Sequence, residues 1–260
     1  MRIRLPRRLP DPPPPAEAGP GPVVFILPAR NEEQTVAGVV GRIPDEIDGL
    51  PVTCVVVDDG SSDDTAEAAR AAGASVVPTR GLGLGAAMRI GLAEAVQRDP
   101  VAVVFCDADG EYAPEELEPV VAPVLAGRND YVVGSRFAGR IDRMHWHRRL
   151  GNRLLTAALA WTTRMPITDG QSGYRALSAD AAAAAEIVHD YNYAQVLTLD
   201  LLGKGYRYGE VPISYSFRRS GRSFVKPFEY LRRVIPAVWR VLNPSAPVPA
   251  EVEPAGAPAR

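Results

Sequence analysis

Apolar and polar positions alternate along this chain at two periods. Short runs rich in Val, Ile and Leu occupy residues 23–27, 52–57, 75–77, 101–106 and 131–134, and each has the length of a buried strand. Between them, residues 32–43, 62–72, 86–97 and 114–125 carry apolar side chains at helical spacing. Ser61 or Ser62 can cap the second of these helices, with Asp63 and Asp64 in its first turn, and Pro114 suits the first turn of the fourth. Strands alternating with helices in this way predict an α/β fold, a doubly wound, mostly parallel (mixed) sheet flanked by helices. Ligands of such sheets sit beyond the carboxyl ends of the strands.

The second half is less regular. Helices are expected over 150–163, 178–188 and 193–202. A strand is expected over 206–215, where Pro212 calls for an edge position. Residues 1–22, arginine-bearing and then Pro-rich, and the Pro/Ala-rich residues 244–260 offer little apolar surface to offset the entropy of ordering, and read as disordered tails. The folded domain is expected over 23–217, followed by a basic amphipathic helical segment over 218–243.

Composition changes this picture only where charge is unevenly spread. The 260 residues carry a net charge of −2 with a pI near 6.0, which argues against a general nucleic-acid binder. Residues 31–70, however, hold ten acids and few arginines, whereas residues 136–153 hold six arginines and one acid. Residues 215–240 hold seven basic residues against Glu229 alone. A basic second half suggests an anionic ligand or surface. In the 218–243 segment Phe224, Phe228, Leu231, Ile235, Val238, Trp239 and Leu242 recur at near-helical spacing among Lys226, Arg232, Arg233 and Arg240. Such a helix either lies in a membrane interface or packs on protein. Cys54 and Cys106 each fall in an apolar run, as buried thiols of a reduced protein do. With no signal-type apolar stretch in residues 1–22 and no membrane span, the expected location is cytoplasmic, or peripheral on the cytoplasmic face of the membrane.

The chemistry concentrates where strands end. Asp107-Ala108-Asp109-Gly110-Glu111 follows the run 101–106 directly, and three acids at alternate positions can converge on one hard cation such as Mg²⁺ or Mn²⁺. Alone it could equally be an acidic surface turn. The run 52–57 ends in Asp58-Asp59-Gly60-Ser61-Ser62-Asp63, where Asp58 and Asp59 exceed what a helix cap needs and could accept hydrogen bonds from a nucleobase or ribose. The first run ends in Pro28-Ala29-Arg30-Asn31-Glu32. Polar clusters at successive strand ends are hard to explain as turn chemistry. His145-Trp146-His147 is an unsuitable metal site, since adjacent residues do not share a helix face.

The P-x-x-N-E, V-D-D-G-S-x-D and D-A-D segments, in this order and spacing, resemble glycosyltransferase family 2. Residues 23–217 are similar to its dolichyl-phosphate (polyprenyl-phosphate) mannose synthase subgroup through Gly83-Leu84-Gly85-Ala86 with Gly91, Gly134-Ser135-Arg136, Asp169-Gly170-Gln171-Ser172-Gly173-Tyr174-Arg175, and Glu210-Val211-Pro212-Ile213 with Arg218, Gly221 and Ser223. The resemblance implies a GT-A fold and an inverting, metal-dependent transfer of a hexose, mannose or glucose, from a GDP- or UDP-sugar to a polyprenyl phosphate. It implies that Pro28, Ala29, Asn31, Glu32, Asp58, Asp59, Gly85, Asp107, Ala108 and Arg136 hold the nucleotide sugar. Asp107, Asp109 and Glu111 would hold Mg²⁺ or Mn²⁺, with Glu111 where relatives often have Gln. Asp169 would lie near the acceptor.

Acceptor type sets the mechanism. A polyprenyl phosphate is already anionic and needs arginines, for which Arg148, Arg149, Arg153, Arg175, Arg218 and Arg222 are candidates with Ser172 beside them. A soluble hydroxyl acceptor needs a base, for which Asp169 is the candidate. A remoter alternative is an NAD-dependent oxidoreductase, because Gly81-x-Gly83-x-x-Ala86 meets the dinucleotide-binding fingerprint. That fingerprint belongs to a first strand–helix unit, and here it lies in the third.

Overall fold

The computed structural model describes residues 21–188 and 193–217. Its strands are β1 (Val23–Ala29), β2 (Glu46–Ile47), β3 (Leu50–Asp58), β4 (Ser75–Pro78), β5 (Ala102–Phe105), β6 (Tyr131–Arg143), β7 (Arg175–Ser178) and β8 (Tyr208–Ser216). The helices are α1 (Val36–Val40), α2 (Thr65–Ala71), α3 (Leu84–Val96), α4 (Leu117–Leu125), α5 (Trp146–Thr163), α6 (Ala179–Ala184) and α7 (Ala194–Gly203). The tails, the 218–243 segment, Arg218 and Arg222 lie outside the described residues.

The strands form one mixed sheet in the order β2-β3-β1-β5-β7-β6-β8, with β4 also on β3. β4, β3, β1 and β5 run parallel, β7 is antiparallel to both β5 and β6, and β8 is parallel to β6 at the edge that Pro212 required. Alternation at period two divides the core between the two faces. Phe25, Leu27, Val56 and Val104 pack with α1, α2 and α4, whereas Val24, Ile26, Val57 and Phe105 pack with α3, α6 and α7. Each fully buried aliphatic side chain contributes about 1.5–3 kcal/mol of transfer free energy. α3 can sit this close because residue 91 is glycine: a Cβ there would lie 2.7 Å from Ile26 Cγ2.

Several boundaries differ from expectation. β7 falls where no strand was expected. It is four residues long and central, and its neighbours rather than its own pattern make it a strand. β6 runs on to Arg143, well past 134, because β8 pairs with it across a bulge. α2 starts only at Thr65: Asp63 Oδ1 accepts from Thr65 N–H (3.2 Å) and Thr65 Oγ1 (2.5 Å), so the polar cluster extends the loop instead of capping at Ser61 or Ser62. The expected helix over 178–188 is Ala179–Ala184, capped by Ser178, whose side chain accepts from Ala181 N–H.

Candidate active site

β1 lies between β3 and β5: the chain moves from β1 to β3 on one side and returns through α3 to β5 on the other, so the strand order reverses there. Such a reversal is where ligands of α/β sheets sit, beyond the carboxyl ends of the strands. Ala29 pairs with Asp58, which sets those ends level. The loops beyond are tied to one another. Asn31 N–H donates to Ser61 Oγ (2.9 Å), Asn31 Oδ1 accepts from Ser62 N–H (2.8 Å), and Glu32 N–H donates to Thr65 Oγ1 (2.8 Å). Asn31 adopts a left-handed backbone with φ 55, which turns the chain into this arrangement.

Asp58 and Asp59 are both buried, with different tasks. Asp58 accepts from Ser61 N–H (3.1 Å) and from the Ser61 hydroxyl. Asp59 accepts from Thr79 Oγ1 (2.7 Å), Leu82 N–H (2.7 Å) and Gly83 N–H (2.9 Å), with Arg30 at 3.8 Å. Its carboxylate therefore fixes the glycine-rich loop before α3, and a nucleoside would compete for what acceptor capacity remains. Pro28, Ala29 and Ala108 turn buried side chains inward, and Gly85 is buried in the first turn of α3, so these positions can offer a ligand only backbone or shape.

The Asp107-Ala108-Asp109 turn stands two residues beyond β5, at the middle of this edge. Both aspartates are half-buried, and Asp109 Oδ1 accepts from Glu111 N–H (3.0 Å). Asp107 lies against Gly173, where any Cβ would come within 2.7 Å of Asp107 Oδ2. Glycine at 173 is thus a condition for Asp107 to occupy its position, and Gly173 N–H donates to Tyr112 Oη (2.7 Å) on the other side.

Glu111 departs from the expected trio. It is buried, Tyr215 Oη–H donates to its Oε2 (2.5 Å), and Arg148 Nη1 lies 3.8 Å from its Oε1. Among the described residues no three His, Cys, Asp or Glu side chains gather to hold a cation by themselves. Two carboxylates on alternate residues still fit Mg²⁺ or Mn²⁺, which are usually held by one or two carboxylates with substrate phosphate and water completing the shell. Asp107 and Asp109 are the candidates for that pair, with Glu111 held by the Tyr215 hydroxyl next to them.

The acceptor side differs more from expectation. Asp169 is fully buried, and Arg136 grips it with Nε (2.7 Å), Nη2 (2.8 Å) and its backbone N–H (3.0 Å), while Gln171 N–H adds a fourth donor (3.2 Å). Asp169 and Arg136, expected near the acceptor and the donor phosphate, form a buried ion pair, with Arg136 stacked 5.2 Å from the Tyr215 ring centroid. Arg175 and Ser172 are likewise buried. The Arg175 guanidinium, wholly buried, donates to the carbonyls of Ser172 (2.8 Å), Ala194 (2.8 Å) and Gly170 (3.2 Å) and to the Tyr131 hydroxyl. The Ser172 hydroxyl accepts from Tyr174 N–H (3.3 Å). Arg148, Arg149 and Arg153 remain on α5, with Arg148 over the Phe217 ring (5.4 Å) and Arg153 over Phe137 (5.6 Å). Tyr112, Tyr215 and Phe217 had no assigned role; a motif search passes over them because their partners are distant in sequence.

Known proteins share this architecture. The family model described as glycosyl transferase family 2 matches residues 24–183. Glycosyltransferase AglJ of Haloferax volcanii is 31% identical over 207 residues, covering 78% of this chain and 65% of that protein. The dolichol-phosphate mannosyltransferase of Pyrococcus furiosus is 29% identical over 224 residues, covering 82% and 62%. The chain thus spans a little under two thirds of either relative's length. Among solved structures, glucosyl-3-phosphoglycerate synthase from Mycobacterium tuberculosis, in complex with Mn²⁺, UDP and glucosyl-3-phosphoglycerate, superposes with a TM-score of 0.66 at 26% identity, covering 85% of this chain and 80% of that one.

Proposed function

The chain belongs to glycosyl transferase family 2, with the GT-A fold, and from that premise we propose that it transfers a hexose, mannose or glucose, with inversion from a GDP- or UDP-sugar to a polyprenyl phosphate. Asp107 and Asp109 hold Mg²⁺ or Mn²⁺, which offsets the charge that grows on the departing diphosphate. The loops joined through Asn31, Ser61 and Ser62 frame the nucleoside, with Asp58 and Asp59 fixing their shape. Structures of the mycobacterial synthase with Mn²⁺ and UDP support this reading of the donor side.

The acceptor reading rests on one observation, the engagement of Asp169. With its carboxylate accepting four hydrogen bonds in a sealed ion pair, it is not placed to take a proton from a hydroxyl. A phosphate monoester arrives as an anion and needs no such base, and Arg148 supplies positive charge beside Glu111, with Arg149 and Arg153 on the same helix. The name of the Pyrococcus relative supports the same choice. The likeness to the phosphoglycerate-bound synthase favours a second reading, a soluble acceptor.

A panel of labelled GDP- and UDP-hexoses tests both, with Mg²⁺ or Mn²⁺, and with either undecaprenyl phosphate in detergent or 3-phosphoglycerate. Label extracted into organic solvent supports the lipid acceptor. Turnover only with the soluble acceptor overturns it and leaves the transferase.

A further inference from the structure

α5 is built the wrong way round for a helix of a water-soluble domain. At 100° per residue, Trp146, Leu150, Leu154, Ala157 and Trp161 fall within an arc of about 80°. That arc faces solvent: Trp146 is 77% exposed, Leu150 52%, Leu154 64% and Trp161 81%. Leu159, one of the buried residues of the helix, lies about 180° away from its centre. The helix therefore packs by one side and presents a continuous apolar stripe, with a tryptophan near each end, by the other.

The charge around the stripe identifies what would cover it. The 18 residues of α5 contain no acid, and Arg149 and Arg153 border the stripe. Exposed Arg140 and Arg143 precede the helix, and exposed Arg164 ends it in a left-handed turn. A second copy of the chain would bring equal positive charge with no carboxylate on the helix to meet it. The 218–243 segment of this same chain is also basic, with Glu229 as its lone acid. An anionic lipid surface is complementary to both features, since it accepts the apolar stripe among acyl chains and the arginines among phosphates. Tryptophans at both ends are the amphipathic anchors such an interface favours. Among the described residues no helix is long and apolar enough to cross a membrane, so α5 would lie in the plane of the bilayer.

We infer that the exposed face of α5, Trp146–Leu150–Leu154–Trp161, is a docking surface for an anionic membrane. The inward side of the same helix is tied to the site: Arg148 Nη1 lies 3.8 Å from Glu111 Oε1, and Thr156 Oγ1 accepts from Gly170 N–H (3.1 Å) next to Asp169. Docking on the outward stripe therefore leaves those contacts in place and holds the domain at the surface where a lipid-linked phosphate lies. This deepens the lipid-acceptor reading and rests on it for its purpose, though not for its geometry.

The test uses the full chain and vesicles of phosphatidylcholine, alone or mixed with phosphatidylglycerol. The wild type should sediment with the anionic vesicles, more weakly at high salt, and its tryptophan emission should shift to the blue. The double substitution Leu150→Gln/Leu154→Gln should weaken binding at least about tenfold while leaving nucleoside-diphosphate release in detergent unchanged. The inference is overturned if the wild type stays in the supernatant or if the double variant sediments as well as the wild type. It is also overturned if the wild type is a dimer that the variant converts to monomers, because a second copy then covers the face. Vesicle binding that persists when no lipid-linked sugar forms in the detergent assay would leave the docking surface standing and remove only the acceptor reading.

Discussion

The edge formed by the ends of β1, β3 and β5 and the junction of β6, β7 and α5 are both rich in charge, and they dispose of it in opposite ways. At the first, Asp107 and Asp109 stay half-buried on a turn just past β5. At the second, Asp169, Arg136 and Arg175 are sealed from water: Asp169 and Arg136 pair with each other, backbone N–H groups complete Asp169, and backbone carbonyls and hydroxyls hold Arg175. A charge left accessible at a strand end can bind a ligand. A charge buried and fully hydrogen-bonded can position only its neighbours, and removing its partner is costly. The difference teaches that motifs of equal sequence specificity can serve chemistry in one place and architecture in another.

The sharpest break of that contrast would come from the metal pair. Asp109→Asn is expected to lower Mn²⁺-dependent nucleoside-diphosphate release about a thousandfold while the melting temperature stays close to wild type. Undiminished turnover in the variant would move the metal elsewhere. Asp169→Ala should do the reverse. It leaves the Arg136 guanidinium buried without a partner and should cost about 3–5 kcal/mol of unfolding free energy in a denaturant titration. Unchanged stability with lost turnover would return Asp169 to a catalytic role.

Smaller effects sharpen the boundary between the regions. Glu111→Ala removes both the acceptor of the Tyr215 hydroxyl and any ligating oxygen; the Mn²⁺ concentration for half-maximal activity should change by no more than about twofold, whereas loss of a direct ligand would raise it about 10–100-fold. The smallest effect concerns Cys54, whose thiol burial pushes up from 9.0 to about 12, with Arg98 opposing weakly. Because the folded value is raised, the thiol favours the native state below pH 9 and progressively less as pH climbs from there toward about 12. At pH 8, alkylation of Cys54 in the native protein should be roughly a thousandfold slower than in the urea-unfolded chain, read by mass spectrometry.

The acid-bearing strand ends were legible because each of their signals is local. A Val-rich strand followed at once by Asp107-Ala108-Asp109 or Asp58-Asp59-Gly60 states both the element and the polar turn at its end. Pro212 announced an edge strand for a similar reason: a residue without an N–H cannot serve an inner ladder. β7 and the far half of β6 were illegible because their pairing is decided by strands distant in sequence. The outward stripe of α5 was hidden differently: periodicity reports that a helix has an apolar face but not which way that face points.

By itself, then, the order of residues determined the α/β alternation and the strand ends that carry the acids, because strand length, helical period and turn chemistry act within a few residues. Only the tertiary structure decided that Asp169 and Arg136 neutralise each other, that Arg175 is a buried clamp, that Glu111 is buried against Tyr215, and that α5 turns its tryptophans outward. Those outcomes depend on burial and on partners tens of residues away, and a charge or a ring has the same identity in the sequence whether water or protein surrounds it.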